Sequence, residues 1–336
     1  MADVARAAGV SAMTVSYAFG QPERVSAEST EKVRRAAAEL GYTGPQPVAR
    51  SLRRGRTATI GVVLGEHLTY AFDDPQAARF LAGVAQVCAD EAVGLTLVPV
   101  SGARDDTSRV AQAAVDGFVV WTTSDDDPVL AAVAATGRPA VVHGGPAGGR
   151  LPSIGIDDRE AARAIGRVVF AGARRPAVLS FPLDRARRSQ VIHGPDPDVA
   201  AFPVTRNRLA GFRDAWEARG GSWSDVRVIV CSRNKARLGA EAVPRMLGDG
   251  ADAVAAMSDE LALGALGAAR QLGVPVPATL AVSGWDDADA AAPAGLSTVR
   301  QDLRDQGVRC ARIAMGQPDL EEAPHWEIVA RSTTPT

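Results

Sequence analysis

Asp3-Val4-Ala5-Arg6-Ala7-Ala8-Gly9-Val10-Ser11-Ala12-Met13-Thr14-Val15-Ser16-Tyr17-Ala18-Phe19 is the stretch that decides how this chain is read. Two short helical patterns meet in it at Gly9. In the first, residues 3–8, Val4 and Ala8 share a face. Gly9 supplies the positive φ that a sharp turn needs, and Val10 is an apolar plug for the space between the helices. Ser11 is a good N-cap for a second helix, predicted over Ala12–Phe19. Val15 and Phe19, four apart, face inward there, while Ala12, Met13, Ser16 and Tyr17 face out. This spacing predicts a helix-turn-helix, in which the second helix enters the major groove of double-stranded DNA.

The residues that follow complete such a head. Val25-Ser26 reads as staple and N-cap of a third helix, and Glu28 and Glu31 suit its positive N-terminal end. Val33, Ala36, Ala37 and Leu40 form its apolar stripe, and Gly41 stops it. Thr43-Gly44-Pro45-Gln46-Pro47 cannot be regular helix. Beyond it, Val48-Ala49-Arg50-Ser51-Leu52-Arg53-Arg54-Gly55-Arg56 is basic, with one large aliphatic. It reads either as a solvated linker or as a hinge helix, with Arg50 and Arg53 on phosphates and Leu52 wedged into the minor groove.

Charge divides the chain at the same place. Through Thr57 there are nine Lys+Arg against five Asp+Glu, a net +4; the remainder holds 28 against 34, a net −6, for −2 over all 336 residues. A basic head on an acidic body implies that only the head meets phosphate. The length predicts two or three domains, and 46% apolar with 23% charged residues fits a globular chain. Cys88, Cys231 and Cys310 lie far apart with no CxxC, which fits a reducing compartment and asks for no disulfide or zinc site. No signal peptide or membrane-length apolar run is evident, so a cytoplasmic location is expected, without a membrane role.

From Thr59 the pattern changes to apolar runs alternating with helical stretches. Strands are predicted at Ile60–Leu64, Leu95–Val100, Gly117–Trp121, Ala140–His143, Ala177–Phe181, Val226–Cys231, Ala253–Met257 and Leu280–Ser283. Between them lie helices such as Pro75–Ala92, with Ala77, Leu81, Val84 and Cys88 on one face. Such alternation predicts parallel sheets with right-handed crossovers. The strands are too many for one small sheet, so two α/β subdomains are expected, with a ligand in the cleft facing their strand ends.

Several motifs resemble the LacI/GalR family of repressors. In the head they are Asp3-Val4-Ala5…Ala8-Gly9-Val10-Ser11…Thr14-Val15-Ser16, Val25-Ser26…Thr30…Lys32-Val33…Ala37…Glu39-Leu40-Gly41-Tyr42 and Ala49-Arg50-Ser51-Leu52. In the body they are Arg208-Leu209-Ala210-Gly211-Phe212, Ser258-Asp259-Glu260-Leu261-Ala262-Leu263-Gly264, Val282-Ser283-Gly284-Trp285-Asp286-Asp287 and Leu296-Ser297-Thr298-Val299-Arg300-Gln301-Asp302. The resemblance implies an all-α helix-turn-helix head on an α/β sensor. That sensor has the periplasmic-binding-protein-like fold, two doubly wound parallel-sheet subdomains. It implies a DNA-binding domain at 1–44, a linker with hinge helix at 45–57 and an effector-binding domain at 58–336. The N-subdomain is placed at 58–157 and 289–318 and the C-subdomain at 158–288 and 319–332, with crossovers near Asp157, Asp287 and Asp319. It also implies a homodimer, or a higher assembly, on a palindromic operator, controlled by a sugar or similar polar metabolite. Ala12, Met13 and Tyr17 then occupy base-reading positions, with apolar contact to thymine methyls for the first two. Ser11, Thr14 and Ser16 contact phosphates or cap helices.

The same resemblance puts Arg208 on ligand oxygens, for which its planar five-donor fork is suited; the other reading is a surface arginine at a helix start. Asp286 matches an acidic ligand contact, or else ends a strand in an Asx turn; Asp287 reads as structural. Ser258 faces the cleft or caps the next helix, and Asn234 has the same two readings. Gln301 lies on a crossover strand. Trp121 and Trp285 end strands and either stack on a sugar ring or belong to the core. Tyr70, Phe72 and Asp73 sit in the loop after the first strand, where Asp74-Pro75 caps the next helix. Asp157 can cap its helix and face the cleft at once. His143-Gly144 stands where some family members carry an acidic contact.

Two other classes fit the sequence less well. An α/β enzyme would need a chemical signature, and no GxGxxG after a first strand, GK[ST] loop, HExxH or GxSxG is present. Gly144-Gly145-Pro146-Ala147-Gly148-Gly149 lacks the lysine of a phosphate loop, and the four histidines have no metal-ligand spacing, so neither cofactor nor metal is expected. A sugar-transport protein would leave the basic head without a purpose.

Overall fold

The computed structural model describes residues 1–44, 56–65, 69–100, 105–146, 149–319 and 322–335. The chain divides into two compact units, Met1–Ala58 and Thr59–Thr336. The hinge segment with Arg50, Leu52 and Arg53 lies outside the described residues.

Among its described residues the first unit holds the α-helices α1 (Ala2–Ala8), α2 (Ala12–Gly20) and α3 (Ala27–Glu39). Gly9 turns between the first two at a φ of 64°, and the Ser11 and Ser26 hydroxyls cap α2 and α3. Val4, Ala5, Val15, Ala18, Val33, Ala36 and Ala37 form the core, with Val10, Phe19 and Tyr42 packed at its edge. Leu40, expected in that stripe, is 51% exposed. The helix has already ended at Glu39, and the chain leaves through Gly41 at a φ of 62°, which turns Leu40 outward.

The second unit contains two lobes. The first is built from β1 (Thr59–Leu64), α4 (Tyr70–Asp73), α5 (Pro75–Asp90), β2 (Gly94–Pro99), α6 (Asp106–Gln112), β3 (Gly117–Trp121), α7 (Pro128–Ala135), β4 (Ala140–His143) and β5 (Ser153–Ile154). Its sheet runs β2-β1-β3-β4-β5, all parallel. Val62, Val63, Val119, Val120 and Val141 are fully covered, as strands with helices on both faces require.

The second lobe continues with α8 (Asp158–Val169), β6 (Pro176–Ser180), β7 (Gln190–His193), α9 (Pro203–Glu217), β8 (Arg227–Val230), α10 (Ala236–Gly248), β9 (Ala253–Ala256), α11 (Asp259–Gln271) and β10 (Ala281–Ser283). Its sheet order is β10-β9-β6-β8-β7. The last strand departs from the all-parallel expectation, because β7 pairs antiparallel with β8 at the edge. β5 and β7 were not expected from sequence.

The chain then forms β11 (Thr298–Gln301), α12 (Leu303–Ala314) and β12 (Trp326–Val329), with β11 and β12 antiparallel. Val299 is buried in the core of the second lobe, whereas α12 lies in the core of the first. The crossing therefore falls at Asp302, between β11 and α12, rather than near Asp287. The cause is the pairing of Ser297 and Arg300 with Ser283 and Asp286, which keeps β11 on the second sheet. The tail returns to that lobe, where Val282 N donates to Thr333 O at 2.8 Å.

Small residues let helices approach closely. A Cβ added to Gly83 on α5 would strike the Arg304 carbonyl, and one on Gly307 of α12 would strike the Phe80 carbonyl. The two helix backbones thus touch through reciprocal glycines. No helix among the described residues is long and apolar enough to cross a membrane.

Candidate functional site

In the head, α2 presents Ala12 and Met13 to solvent, Met13 at 64% exposure, with Thr14, Ser16 and Tyr17 half-buried beside them. Burial of Val15 and Ala18 on the opposite face fixes which side is outward. Ser11 Oγ accepts from Thr14 N at 3.0 Å and hydrogen-bonds Thr14 Oγ1 at 2.9 Å, so both side chains are engaged in the cap. The Arg24 guanidinium lies 5.4 Å from the Tyr17 ring centroid.

In the body, strand ends from both lobes line a cavity of about 150 Å³. The first lobe contributes Asp73, Asp74, Trp121 and His143, and the second contributes Asp158, Phe181, Arg208, Asn234 and Asp286. Gln301 and Gln306 reach it from either side of the Asp302 crossing. This is the carboxyl-end position where open α/β sheets bind ligands.

Arg208 is the buried centre of its second-lobe wall. Its Nε donates to Asp158 Oδ1 at 2.7 Å and its Nη1 to the Met257 carbonyl at 2.6 Å. The guanidinium stacks 3.8 Å from the Trp285 ring centroid and 5.6 Å from that of Phe181. Across the cleft, Asn234 Nδ2 donates to Asp74 Oδ2 at 2.6 Å, while Ser258 Oγ donates to Asn234 Oδ1 at 2.6 Å. The Trp121 ring stacks on His143, with centroids 4.8 Å apart and 6° between planes, and Phe80 packs against both. Asp286 holds a φ of 107° and Thr122, also at the cavity, a φ of 39°. Such backbone is costly for residues with a Cβ and gathers at functional sites.

Burial shapes the charges here. It pushes the Asp286 carboxyl well above its ordinary value, with Arg208 opposing the rise. It also raises the Asp158 carboxyl, and the paired Arg208 offsets part of that. His143 is moved the other way, from 6.5 to about 4, first by burial and also by the positive charge of Arg208. A histidine with a folded pKa below its unfolded one binds fewer protons when folded, so stability is full above the unfolded pKa and falls on acidification. The sensor should therefore lose up to about 3 kcal/mol through His143 as pH drops from about 6.5 to about 4. Denaturant titrations at several pH values check this, with His143→Gln expected to flatten that part of the profile.

The structure sorts the residues expected from sequence. Asp73, Trp121, Arg208, Asn234, Asp286 and Gln301 line the cavity together. Tyr70 lies in α4, beside them in sequence, but its side chain is outside the described set. Phe72 does not join them, because α4 turns it to solvent at 71% exposure. Asp157 is exposed and spends its carboxylate capping α8 through Glu160 N; its neighbour Asp158 takes the cleft position. Ser258 and Trp285 stand behind the wall, one holding Asn234 and the other supporting Arg208. Asp287 ties β11 and the tail together through Arg300 and Arg331, as a structural residue would.

Asp74, Asp158, Gln306 and the direct part of His143 were missed. Asp74 caps α5 with one oxygen and reaches Asn234 with the other. For Asp158 a signal existed: it shares a helical stripe with Ala162, Ile165 and Val169, all buried. Gln306 similarly shares the buried stripe of α12 with Leu303 and Cys310.

Comparison with known proteins agrees with both halves. Residues 1–44 match the family described as bacterial regulatory proteins, lacI family, and residues 171–335 match the periplasmic binding protein-like domain. An HTH-type transcriptional regulator of Mycobacterium tuberculosis is 37% identical over 330 residues, covering 95% of this chain and 90% of its own. The crystal structure of the lac repressor dimer bound to operator and the anti-inducer ONPF is 26% identical with a TM-score of 0.74, covering 98% of this chain and 97% of that one. The complex of the transcriptional regulator CelR with cellobiose is 26% identical with a TM-score of 0.65 and covers 98% of each chain. With the helix-turn-helix head, the two-lobed body and these relatives in agreement, the chain belongs to the LacI family of DNA-binding transcriptional regulators.

Proposed function

We propose that this regulator is a repressor whose operator affinity is set by a neutral polar small molecule, best fitted by a sugar, held in the cleft between its lobes. The observation that carries the reading is the wall itself. Arg208, Asn234, Asp286 and Gln301 converge on one cavity with the aromatic residues Trp121 and Phe181 beside them. Charged and amide groups satisfy ring hydroxyls, while aromatic faces cover the apolar face of a sugar ring. The cellobiose bound by CelR supports the class, not the identity, of such a ligand.

On DNA, Ala12, Met13 and Tyr17 read bases, and Ser11, Thr14 and Ser16 contact phosphate. Arg50 and Arg53 add phosphate contacts with Leu52 as the minor-groove wedge, and the chain acts as a cytoplasmic homodimer on a two-fold operator. One small head binds weakly, and two heads on related half-sites combine their affinity.

The test is a fluorescence-anisotropy titration against operator DNA at several salt concentrations. Several phosphate contacts should give a steep linear fall of log K with log salt. A flat, weak response would sink the operator reading. Tyr17→Ala is expected to lose specific binding, roughly tenfold or more for one base contact, while random-sequence binding stays unchanged. A thermal-shift screen of sugars tests the ligand class, since a molecule bound only by the folded state raises its melting temperature.

A further inference from the structure

A continuous row of four polar side chains crosses the cleft from the second lobe to the first. Gln301 Nε2 donates to Asp286 Oδ1 at 2.8 Å, Gln306 Nε2 donates to Gln301 Oε1 at 3.2 Å, and Gln306 Oε1 lies 2.8 Å from His143 Nε2. The polarity of this row follows from its first member. The Arg208 charge favours the ionised form of Asp286 against its burial, and in that form the carboxylate only accepts, so Gln301 turns its amide nitrogen to Asp286 and its oxygen to Gln306. Gln306 must then offer nitrogen to Gln301 and oxygen to His143. An amide oxygen accepts, so His143 Nε2 carries the proton.

The other ring nitrogen is thereby left as a lone pair. His143 Nδ1 is buried and has no hydrogen-bond partner among the described residues, although the ring lines the cavity. A buried acceptor left without a donor is costly, and each such atom in a native fold calls for an explanation. The ring is held for this purpose on every side, with Trp121 parallel to it, Phe80 tilted against it and Gln306 on Nε2.

We infer that Asp286, Gln301 and Gln306 form a positioning relay that locks His143 in the Nε2–H tautomer, so that Nδ1 accepts a hydroxyl or N–H of the effector. The effector is thus a neutral donor at its His143 end. A carboxylate or phosphate there would set a second lone pair against Nδ1. This rests on the proposal that the cavity is the effector site. It adds that the chain selects ligands by the sense of one hydrogen bond, set from a carboxylate in the opposite lobe.

The relay is read on the ligand-free, full-length chain by long-range ¹H–¹⁵N spectra of its histidines at neutral pH, with His143 assigned by its loss in His143→Gln. The expected result is a neutral ring with the proton on Nε2 and slow exchange of that proton. An Nδ1–H tautomer or an imidazolium would overturn the inference. Gln306→Leu should speed Nε2–H exchange and mix the tautomers, and Gln306→Glu, which still accepts, should restore the single form. An unchanged tautomer and exchange rate in Gln306→Leu would also overturn it. If His143→Gln does not fold, the resonance that moves in Gln306→Leu gives the assignment.

Matched probes then test the ligand statement. Glucose and cellobiose are compared with glucuronate and glucose 6-phosphate by thermal shift and by the His143 resonances. Neutral probes should act more strongly than their anionic counterparts and should move the Nδ1 resonance upfield, as accepting a hydrogen bond does to an unprotonated ring nitrogen. Stronger stabilisation by an anion at His143 would overturn it. If no probe moves His143 while the tautomer is as expected, the sugar-effector reading fails and the relay stands.

Discussion

Arg208→Ala is expected to destabilise the sensor by about 3–5 kcal/mol in addition to abolishing its effector response, because it breaks a buried ion pair from one side. Asp158 would keep its carboxylate in a site almost closed to water, with the side-chain cation paired to it gone. The Met257 carbonyl would lose a donor as well, and the Trp285 ring its stacked guanidinium. Denaturant unfolding of the full chain at neutral pH measures the loss. Combining Arg208→Met with Asp158→Asn should recover most of it, since removing both charges leaves no unpaired charge in the wall. A loss below about 1 kcal/mol for Arg208→Ala would show that the pair is solvated. The loss of response in that variant mixes folding with recognition, so Arg208→Lys is the better probe of the ligand. It keeps the charge and gives up the planar fork.

Trp285→Ala should cost a comparable amount, about 3–5 kcal/mol, as the truncation of the largest fully buried side chain in the protein. Trp285→Phe should cost less than about 1.5 kcal/mol, because the ring is replaced by a ring and little is lost at its nitrogen. The Trp285 Nε1–H has no hydrogen-bond partner among the described residues, so its removal leaves none of them unpaired. Equal stability of the two variants would contradict a packing role. The Phe variant should keep part of the Arg208 stacking and with it the ligand response.

The head was legible almost residue by residue. Gly9, Ser11 and Ser26 act through local backbone chemistry, which a sequence displays directly, and the stripe Val33-Ala36-Ala37 has helical spacing. Leu40 was misplaced because the helix ended one residue before the stripe did. Eight strands of the body were visible as apolar runs. β5 has two residues and β7 four, and β7 is exposed at the edge, so neither carries a buried run. In the cleft, Arg208, Asp286 and Gln301 were found through motif resemblance. The choice between Asp157 and Asp158 turns on which of two adjacent acids meets an arginine fifty residues away. Such a pairing is a tertiary fact, and only the helical stripe of α8 hinted at it. His143 and Gln306 are separated by 163 positions, and their contact has no local signature at all.

The reciprocal glycines of α5 and α12 bear on how the molecule moves. Side chains that interdigitate can slide past one another by changing rotamers, but two backbones in direct contact have no such slack. When the lobes open or close, these helices must travel as a single block. Bending would then fall on the residues that connect the lobes, near Asp157, near Asp302 and after α12, where the chain returns to the second lobe. Amide exchange should accordingly quicken at those joints on lobe movement, while α5 and α12 stay protected together. A gearbox of this kind turns at its joints because its shafts cannot slip.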